Sequence, residues 1–305
     1  METVLITGGT GLVGKPLCSA LTSLGYSVHL LSRKPVNNPK YATYFWDPES
    51  KQLDQEVIDE ADYIIHLAGE NIGAKRWTAT RKQQVLDSRV QSGELLFQKI
   101  QASKGQLKAF ISASAIGYYG AVTSENIFSE QDSAGDDFLG KTCHAWEEVS
   151  RAISSEGIRT VTLRMGVVLA ANGGALPKMI FPVKYGFGSA LGSGDQYMSW
   201  IHMQDIIAII IKALQERAMS GIYNAVSPQG ISNRVFMKTL AAVLRKPFIM
   251  PAVPSFVIRS LIGEMSDMIL KGSRVSGQKL IHSGYTFLFP EIEGALKNIL
   301  TQAHE

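Results

Sequence analysis

The chain has 305 residues, 45% of them hydrophobic and 19% charged, with 28 glycines and 2 cysteines. At roughly 100–200 residues per domain, that is two domains or one large α/β domain with an appendage, and the apolar fraction excludes a disordered chain. Thirty basic against 27 acidic residues leave +3, too balanced for a nucleic-acid binder, while Cys18 and Cys143 lie too far apart for a disulfide scaffold or a cysteine-based zinc site.

Strands buried on both faces are predicted at Val4–Thr7, Ser27–Leu31, Tyr63–Leu67, Ala109–Ala113 and Thr160–Leu163, each nearly continuously apolar. A weaker extended run, Tyr41–Trp46, fits the third strand in order. Helical patterns fall between them at Val13–Leu24, Gln55–Glu60, Thr78–Ser103 and Phe138–Ser155. This alternation implies right-handed crossovers and an α/β fold, a doubly wound parallel sheet of Rossmann type. Ligands are then expected at the carboxyl ends of the strands. After Gly166 the pattern changes, with Gly and Pro clustered from Gly173 to Gly194, which marks loops over a smaller lobe. A helix at Met203–Glu216 and a strand at Gly221–Val226 are expected to return to the sheet. Helices follow at Asn233–Leu244 and Glu291–Thr301, with Pro247, Pro251 and Pro254 between them. The division expected is residues 1–165, rejoined by 200–227, as a dinucleotide-binding domain and 166–305 as the smaller substrate lobe.

The first predicted strand begins almost at Met1, which leaves no room for a signal peptide. The longest apolar run, Ile206–Ile211, falls well below the roughly 20 residues of a membrane helix. A soluble, cytoplasmic protein without a membrane partner is expected.

Between the first strand and helix lies Thr7-Gly8-Gly9-Thr10-Gly11-Leu12-Val13-Gly14. Glycines at 8, 11 and 14 permit a tight turn, close backbone approach to a pyrophosphate, and close packing of helix on strand. The helix start presents free N–H groups and the positive dipole end to the phosphates. No Gly-Lys-Ser/Thr follows the glycines, which excludes a P-loop. The second strand ends in Leu31-Ser32-Arg33-Lys34. An NAD site places an acid there for the ribose 2′-hydroxyl, whereas a hydroxyl and a guanidinium suit a 2′-phosphate. NADP is therefore the expected cofactor.

With Gly8-x-x-Gly11-x-x-Gly14, His66-Leu67-Ala68-Gly69 and Ser112-Ala113-Ser114, the chain resembles the extended short-chain dehydrogenase/reductase superfamily. More narrowly, it resembles the epimerase-like branch with an uncharacterised C-terminal domain, commonly labelled nucleotide-sugar epimerases. That narrower match rests on Ser32-Arg33-Lys34-Pro35, Leu67-Ala68-Gly69-Glu70-Asn71-Ile72, Arg76-Trp77, Ser88-Arg89, Gly117-Tyr118-Tyr119-Gly120, Arg164-x-Gly166-Val167, Gly173-Gly174-Ala175-Leu176 and Trp200-Ile201-His202-x-x-Asp205. The resemblance implies that Gly8, Thr10, Gly11, Leu12, Val13 and Gly14 hold the pyrophosphate, and Ser32 and Arg33 the 2′-phosphate. It implies that Leu67, Ala68 and Gly69 line the middle of the cofactor, and that Val167 packs near the nicotinamide. Gln84 and Arg89 are expected to face the same crevice; Arg89 either reaches a phosphate or ribose or serves as a surface salt-bridge residue.

The superfamily's proton chemistry rests on a Ser or Thr after the fifth strand and on Tyr-x-x-x-Lys in the next helix, the Lys lowering the Tyr pKa. Ser114 matches the hydroxyl. Aligned on Glu147, Leu139 stands for the Tyr and Cys143 for the Lys, and a one-residue shift gives Phe138 and Thr142; Lys141 is out of phase in both. Tyr118 and Tyr119 are the substitute acid candidates, with aromatic packing over the cofactor as the alternative. Glu70, Asn71 and Arg76 are candidate substrate contacts. No histidine spacing suggests a metal site, and His202 with Asp205 reads as helix capping or interdomain hydrogen bonding. The expectation is an NADP-dependent oxidoreductase or epimerase on a small polar substrate, a sugar nucleotide being one candidate. The alternative is a non-catalytic NADP(H)-binding redox sensor.

Overall fold

Strand β1 (Thr3–Thr7) sends Val4 and Ile6 into one hydrophobic cluster and Leu5 into another, because successive side chains of a strand point to opposite faces. That alternation in a fully apolar strand requires cover on both sides of a sheet. In the computed structural model, which describes residues 1–34 and 40–302, helices supply the cover. Pro35 and His304 lie outside the described residues.

The chain proceeds through α1 (Gly14–Ser23), β2 (Ser27–Ser32), β3 (Ala42–Asp47), β4 (Gln52–Leu53), α2 (Gln55–Asp59), β5 (Tyr63–His66), α3 (Ala79–Ala102) and β6 (Ala109–Ala115). Next come β7 (Ile127–Phe128), α4 (Phe138–Ser155), β8 (Thr160–Met165), β9 (Val167–Ala170), β10 (Gly173–Gly174) and α5 (Leu176–Lys184). Then follow β11 (Tyr197–Met198), β12 (Trp200–His202), α6 (Met203–Gln215), β13 (Gly221–Ala225), β14 (Ile231–Ser232) and α7 (Asn233–Val243). Last are α8 (Ser255–Ile262), α9 (Asp267–Leu270), β15 (Arg274–Val275), α10 (Gln278–His282) and α11 (Ile292–Gln302).

Eight described strands form one sheet in the order β13-β8-β6-β5-β1-β2-β3-β4. All neighbours run parallel except β3 and β4. The chain grows outward from β1 to β2 and β3, then returns to the other side of β1 through β5, β6, β8 and β13. The carboxyl ends of β1 and β5 therefore flank the reversal point, where a doubly wound sheet opens a crevice. Helices α1 and α6 cover one face through Leu17, Leu21, Ile206, Ile209 and Ile210. Helices α2, α3 and α4 cover the other through Val57, Leu95, Leu96, Val149 and Ile153.

The chain leaves the sheet at Gly166, whose N–H donates to Ala225 O while Val167 N–H donates to Ser199 O. A Cβ at Gly166 would lie 2.8 Å from the Ser199 carbonyl oxygen, so the divergence of β9 from β8 depends on glycine. Of the returning segment, β13 joins the main sheet beside β8, whereas β12 pairs with β9 in a small second sheet. A separate core of Leu169, Leu176, Met198, Trp200, Phe236, Leu240 and Leu296 holds this lobe. Of the prolines between the last two predicted helices, Pro247 and Pro251 lie in an irregular stretch. Pro254 stands at the N-cap of α8, and α9, β15 and α10 follow before α11.

Candidate functional site

The glycine turn is built against the loop that leaves β5. Gly8 has φ +71°, and a Cβ there would lie 2.8 Å from the Leu67 carbonyl carbon and 2.9 Å from Ala68 N. Gly11 N–H donates to Gly8 O at 2.9 Å. A Cβ on Gly14 would run into that same carbonyl oxygen. Gly9, which the spacing argument passed over, is also constrained, since its Cβ would meet Leu30 Cδ2 at 2.5 Å. Helix α1 starts with no side-chain cap and no acidic residue in its first turn; Lys15 N–H donates to Gly11 O, Leu17 N–H donates to Val13 O and Pro16 carries no N–H, so what the helix start offers is its positive dipole end with no acidic side chain against it. Thr10, Gly11 and Leu12 are exposed above it, with Val13 half-buried.

Thr7 fixes this turn to β5. Its Oγ1 accepts the N–H groups of Leu67 (3.2 Å) and Ala68 (3.1 Å), so its own proton goes to His66 Nδ1 at 2.8 Å. The imidazole then carries its proton on Nε2, toward Ser92 Oγ at 3.3 Å. Burial pushes the His66 pKa down to about 4, with the Arg89 charge adding to the effect, so the ring is a neutral strut. Leu67, Ala68 and Gly69 thus lie directly across the glycine turn from Gly8.

At the end of β2, Ser32 Oγ accepts Lys34 N–H, and Arg33 extends into solvent with its side chain 67% exposed. Arg33 Nη2 lies 3.4 Å from Glu70 Oε1, while the buried Arg81 donates to Glu70 Oε2 at 3.1 Å. The Arg81 bond, helped by Arg33, holds the Glu70 carboxyl below its usual range against partial burial. Glu70 therefore tethers the loop after β5 to Arg33. Asn71 Oδ1 closes a local turn by accepting Gly73 N–H, and Asn71 O accepts from Arg81. Arg76 Nη2 donates to Ser260 O at 2.6 Å, and Lys82 pairs with Glu264, so this loop is clamped to the C-terminal helices. Gln84 is exposed on α3 with its Oε1 3.4 Å from Arg81 Nη1. Arg89 is not a surface salt-bridge residue: its guanidinium lies over the Trp146 ring, 4.9 Å from the centroid, and donates to Val85 O and Glu70 O.

Ser114, Tyr118 and Tyr119 come together with residues from three further elements. Ser114 Oγ donates to Glu147 Oε1 at 2.7 Å, and Arg164 grips both carboxylate oxygens of Glu147 at 2.8 Å. Arg164 Nη1 donates to Tyr119 OH (2.9 Å), which donates to Asn224 Oδ1 (2.6 Å). The Tyr118 ring lies under the same guanidinium, 3.3 Å from its carbon to the centroid. Burial works against the Arg164 charge, yet Glu147 more than offsets it and its pKa stands above the ordinary value. Burial pushes the Tyr119 phenol up to about 12. Hence the Ser114 proton is committed to a carboxylate and the Tyr119 proton to an amide, rather than to the crevice. Cys143 is buried with its thiol pushed up to about 12 by desolvation.

The second lobe meets the turn at Leu12. A Cβ on Gly173 would lie 2.7 Å from Leu12 Cδ1 and one on Gly174 3.1 Å from Cδ2, so the β10 glycines make room for that side chain. Val167 is half-buried at the start of β9. His202 caps α6 by accepting Gln204 N–H, and the fully buried Asp205 accepts from Tyr285 OH, Leu288 N–H and Phe289 N–H.

Residues 4–225 match the NAD dependent epimerase/dehydratase family, and residues 253–299 match a domain of unknown function, DUF1731. The chain belongs to the NAD dependent epimerase/dehydratase family. It is 38% identical over 299 residues to the epimerase family protein YfhF of Bacillus subtilis, covering 97% of each. The crystal structure of human epimerase family protein SDR39U1 (isoform 2) with NADPH is similar at TM-score 0.87 and 33% identity, covering 98% of this chain and 99% of that one. A nucleoside-diphosphate sugar epimerase from Corynebacterium glutamicum is similar at TM-score 0.80 and 31% identity, over 98% of this chain and 58% of that one. The family assignment agrees with the resemblance carried by the glycine turn and the two-part motif pattern. In this member the C-terminal domain is locked on through Asp205 and the Arg76–Ser260 contact.

Residues that hold the site and were given no role from sequence include Gly9, Arg81, Glu147 and Asn224. Arg164 follows the predicted strand Thr160–Leu163 and Glu147 lies in the predicted helix Phe138–Ser155, but no local spacing discloses their pairing.

Proposed function

We propose that the protein binds NADP(H) across the reversal point of its sheet and acts on a small polar substrate of the sugar-nucleotide kind, as an epimerase-like oxidoreductase. The observation that carries the cofactor half is the turn at Gly8, Gly11 and Gly14, pressed against the β5 loop below an uncapped helix start. A Cβ at Gly8 or Gly14 would collide with backbone, and the bare main chain of such a turn is what approaches a pyrophosphate. Ser32 and Arg33 at the end of β2, with no acid in their place, favour the 2′-phosphate form. The NADPH in the human relative supports the same choice. When bound, the nicotinamide supplies a hydride donor or acceptor. The sugar-epimerase description of the Corynebacterium relative supports the substrate class.

Around the cofactor the chain's own residues orient and exclude water. Leu12 against β10 closes the turn from the second lobe, and Arg76 and Lys82 hold the loop after β5 onto the C-terminal helices. Ser114 is the hydroxyl assigned to a substrate oxygen, which has to displace its bond to Glu147, with Tyr118 and Tyr119 in the same network. The closed Ser114–Glu147–Arg164–Tyr119 network is a specific observation in favour of a second reading, an NADP(H)-binding sensor that performs no reaction.

Fluorescence titration of the purified chain with NADPH and NADH tests the cofactor assignment. Tighter binding of NADPH, reduced at least tenfold in Arg33→Ala without equal loss of NADH, is expected; preference for NADH refutes it. Turnover of a panel of sugar nucleotides and small carbonyl compounds separates enzyme from sensor. Absence of turnover, combined with partner binding that changes with cofactor oxidation state, would favour the sensor.

A further inference from the structure

Most large apolar residues of the chain are buried, and six that are not fall together. Phe181, Tyr185, Phe187, Ile249, Phe256 and Leu261 are between 61% and 82% exposed, and Met1 is the one other large apolar residue as exposed as these among those described. Apolar residues scattered over a surface are ordinary, whereas a cluster marks a place where something docks.

Three neighbouring stretches carry them. Phe181 and Tyr185 lie one turn apart at the end of α5, with ring centroids 5.2 Å apart. The chain then passes Phe187 and runs beside residues 247–253. A Cβ on Gly188 would lie 3.4 Å from Pro247 O, Val253 N–H donates to Ala190 O, and Gly192 N–H donates to Val253 O. Ile249 lies in that stretch. Helix α8 follows it with Ile258 as its one buried residue, which leaves Phe256 and Leu261 in water. Both helices border the loop after β5: Lys178 Nζ of α5 is 3.5 Å from Gly73 O, and Ser260 O of α8 accepts from Arg76.

Charge singles out the partner. No Asp or Glu occurs from Gly157 to Gly194 or from Arg217 to Gly263, the two spans that supply this face. Lys184, Arg245, Lys246 and Arg259 are exposed on or beside the same stretches, and none is in an ion pair among the described residues. A second copy of the chain seated symmetrically would set these cations against their equals, which disfavours self-association. What complements the face is negative charge over an apolar layer, the make-up of an anionic lipid surface. The six side chains project from the fold, so a fluid layer can close around them, whereas a folded partner would need a pocket shaped to each.

We propose that this face docks on an anionic phospholipid surface. Phe181, Phe187, Ile249, Phe256 and Leu261 enter the boundary between headgroups and acyl chains, and the four cations meet lipid phosphates. Tyr185 sits at headgroup level, its ring toward the acyl chains and its hydroxyl in water. The expectation of no membrane partner rests on the lack of a spanning segment, which a surface-docked face does not need. The cofactor takes no part in this contact, so it stands or falls apart from the NADP(H) reading.

The test is flotation of the purified chain with vesicles of phosphatidylcholine alone and of phosphatidylcholine with roughly one-third phosphatidylglycerol. Binding to the anionic vesicles at least tenfold above that to phosphatidylcholine, and weakened by added salt, is expected. Phe181→Ser/Phe256→Ser and Lys184→Glu/Lys246→Glu should each lower it at least tenfold, with melting temperatures close to the parent's as the check on folding. No binding, or equal binding to both compositions, overturns the proposal, and so does either double variant if it floats as the parent does. Absent flotation, self-association abolished by Phe181→Ser/Phe256→Ser, or retention on polyglutamate, would assign the face to a second copy or to an acidic protein and overturn it. If Phe181→Ser/Phe256→Ser does not fold, Lys184→Glu/Lys246→Glu decides alone.

Discussion

Replacing Arg164 by Met tests whether the network behind Ser114 is held by its buried ion pair. Arg164 and Glu147 side chains are each only 1% exposed, and Arg164 grips both carboxylate oxygens while donating to Tyr119. Arg164→Met leaves the Glu147 carboxylate buried with Ser114 Oγ as its remaining close donor and Arg151 3.6 Å away at the rim. Breaking one side of a buried pair typically costs about 3–5 kcal/mol. The loss of the Tyr119 bond falls within that range, because Tyr119 keeps Asn224. The double variant Glu147→Leu/Arg164→Met removes the stranded charge. It retains the smaller cost of leaving the Ser114 hydroxyl without its acceptor, roughly 1–3 kcal/mol when fully buried, since Tyr119 keeps Asn224. Urea unfolding followed by tryptophan fluorescence, with Trp146 on the same helix, measures all four corners of this cycle. The single variant is expected to lose more stability than the double. If Arg164→Met costs less than about 1 kcal/mol, or if the two single losses simply add, the pair is not the electrostatic unit described.

Gly14→Ala should abolish NADPH binding and lower the melting temperature, since its Cβ meets the Gly8 carbonyl oxygen; full retention of binding would refute the packing argument. Folded His66 has its pKa near 4, whereas an unperturbed His titrates near 6.5. As pH falls the unfolded chain takes up that proton first. Stability is therefore intact above about 6.5 and declines toward pH 4, by about 3 kcal/mol for this group, and His66→Asn should flatten the decline in a pH series of melts. Asp205→Ala strands the Leu288 and Phe289 N–H groups and leaves the Tyr285 hydroxyl only the residue-205 carbonyl, at 3.2 Å. It should cost a few kcal/mol, at roughly 1–3 for each buried unsatisfied group, and expose residues 283–290 to limited proteolysis. An unchanged digestion pattern would mean that Asp205 does not anchor the C-terminal domain.

What the sequence disclosed was local. The glycine turn, the apolar strands and the absence of an acid after β2 are patterns within a few residues, and each follows from backbone geometry or from alternation across a sheet. The third strand shows the limit, since Tyr41–Trp46 forms at Ala42–Asp47, where β4 pairs with its end. Strands of two residues such as β7 and β15 carry no periodicity at all; only their pairing with each other defines them. The chemistry at Ser114 was hidden for the same reason. Glu147 and Arg164 are 17 positions apart, and Tyr119 and Asn224 are 105 apart, on β6, α4, β8 and β13 and the turn after β6. Which hydroxyl gives its proton to which oxygen is set by how those elements cross. Residue type alone made Ser114 a donor to substrate; the packing makes it a donor to Glu147.

That difference bears on rate. A substrate oxygen that takes the Ser114 proton must displace the charge-assisted bond to Glu147, worth about 1.5–3 kcal/mol. At 1.36 kcal/mol per tenfold, the displacement alone slows a reaction by roughly 10- to 150-fold relative to a hydroxyl aimed freely at the crevice. If Ser114 takes part in catalysis, Ser114→Ala should lower kcat while leaving NADPH affinity within twofold, because Ser114 lies near the end of β6 and not at the glycine turn. The same variant should lose only about 1–3 kcal/mol of stability, since Arg164 still satisfies Glu147. Turnover unaffected by Ser114→Ala would move the proton chemistry away from the end of β6 altogether, and would leave this hydroxyl as one more strut in a network built to hold the crevice open.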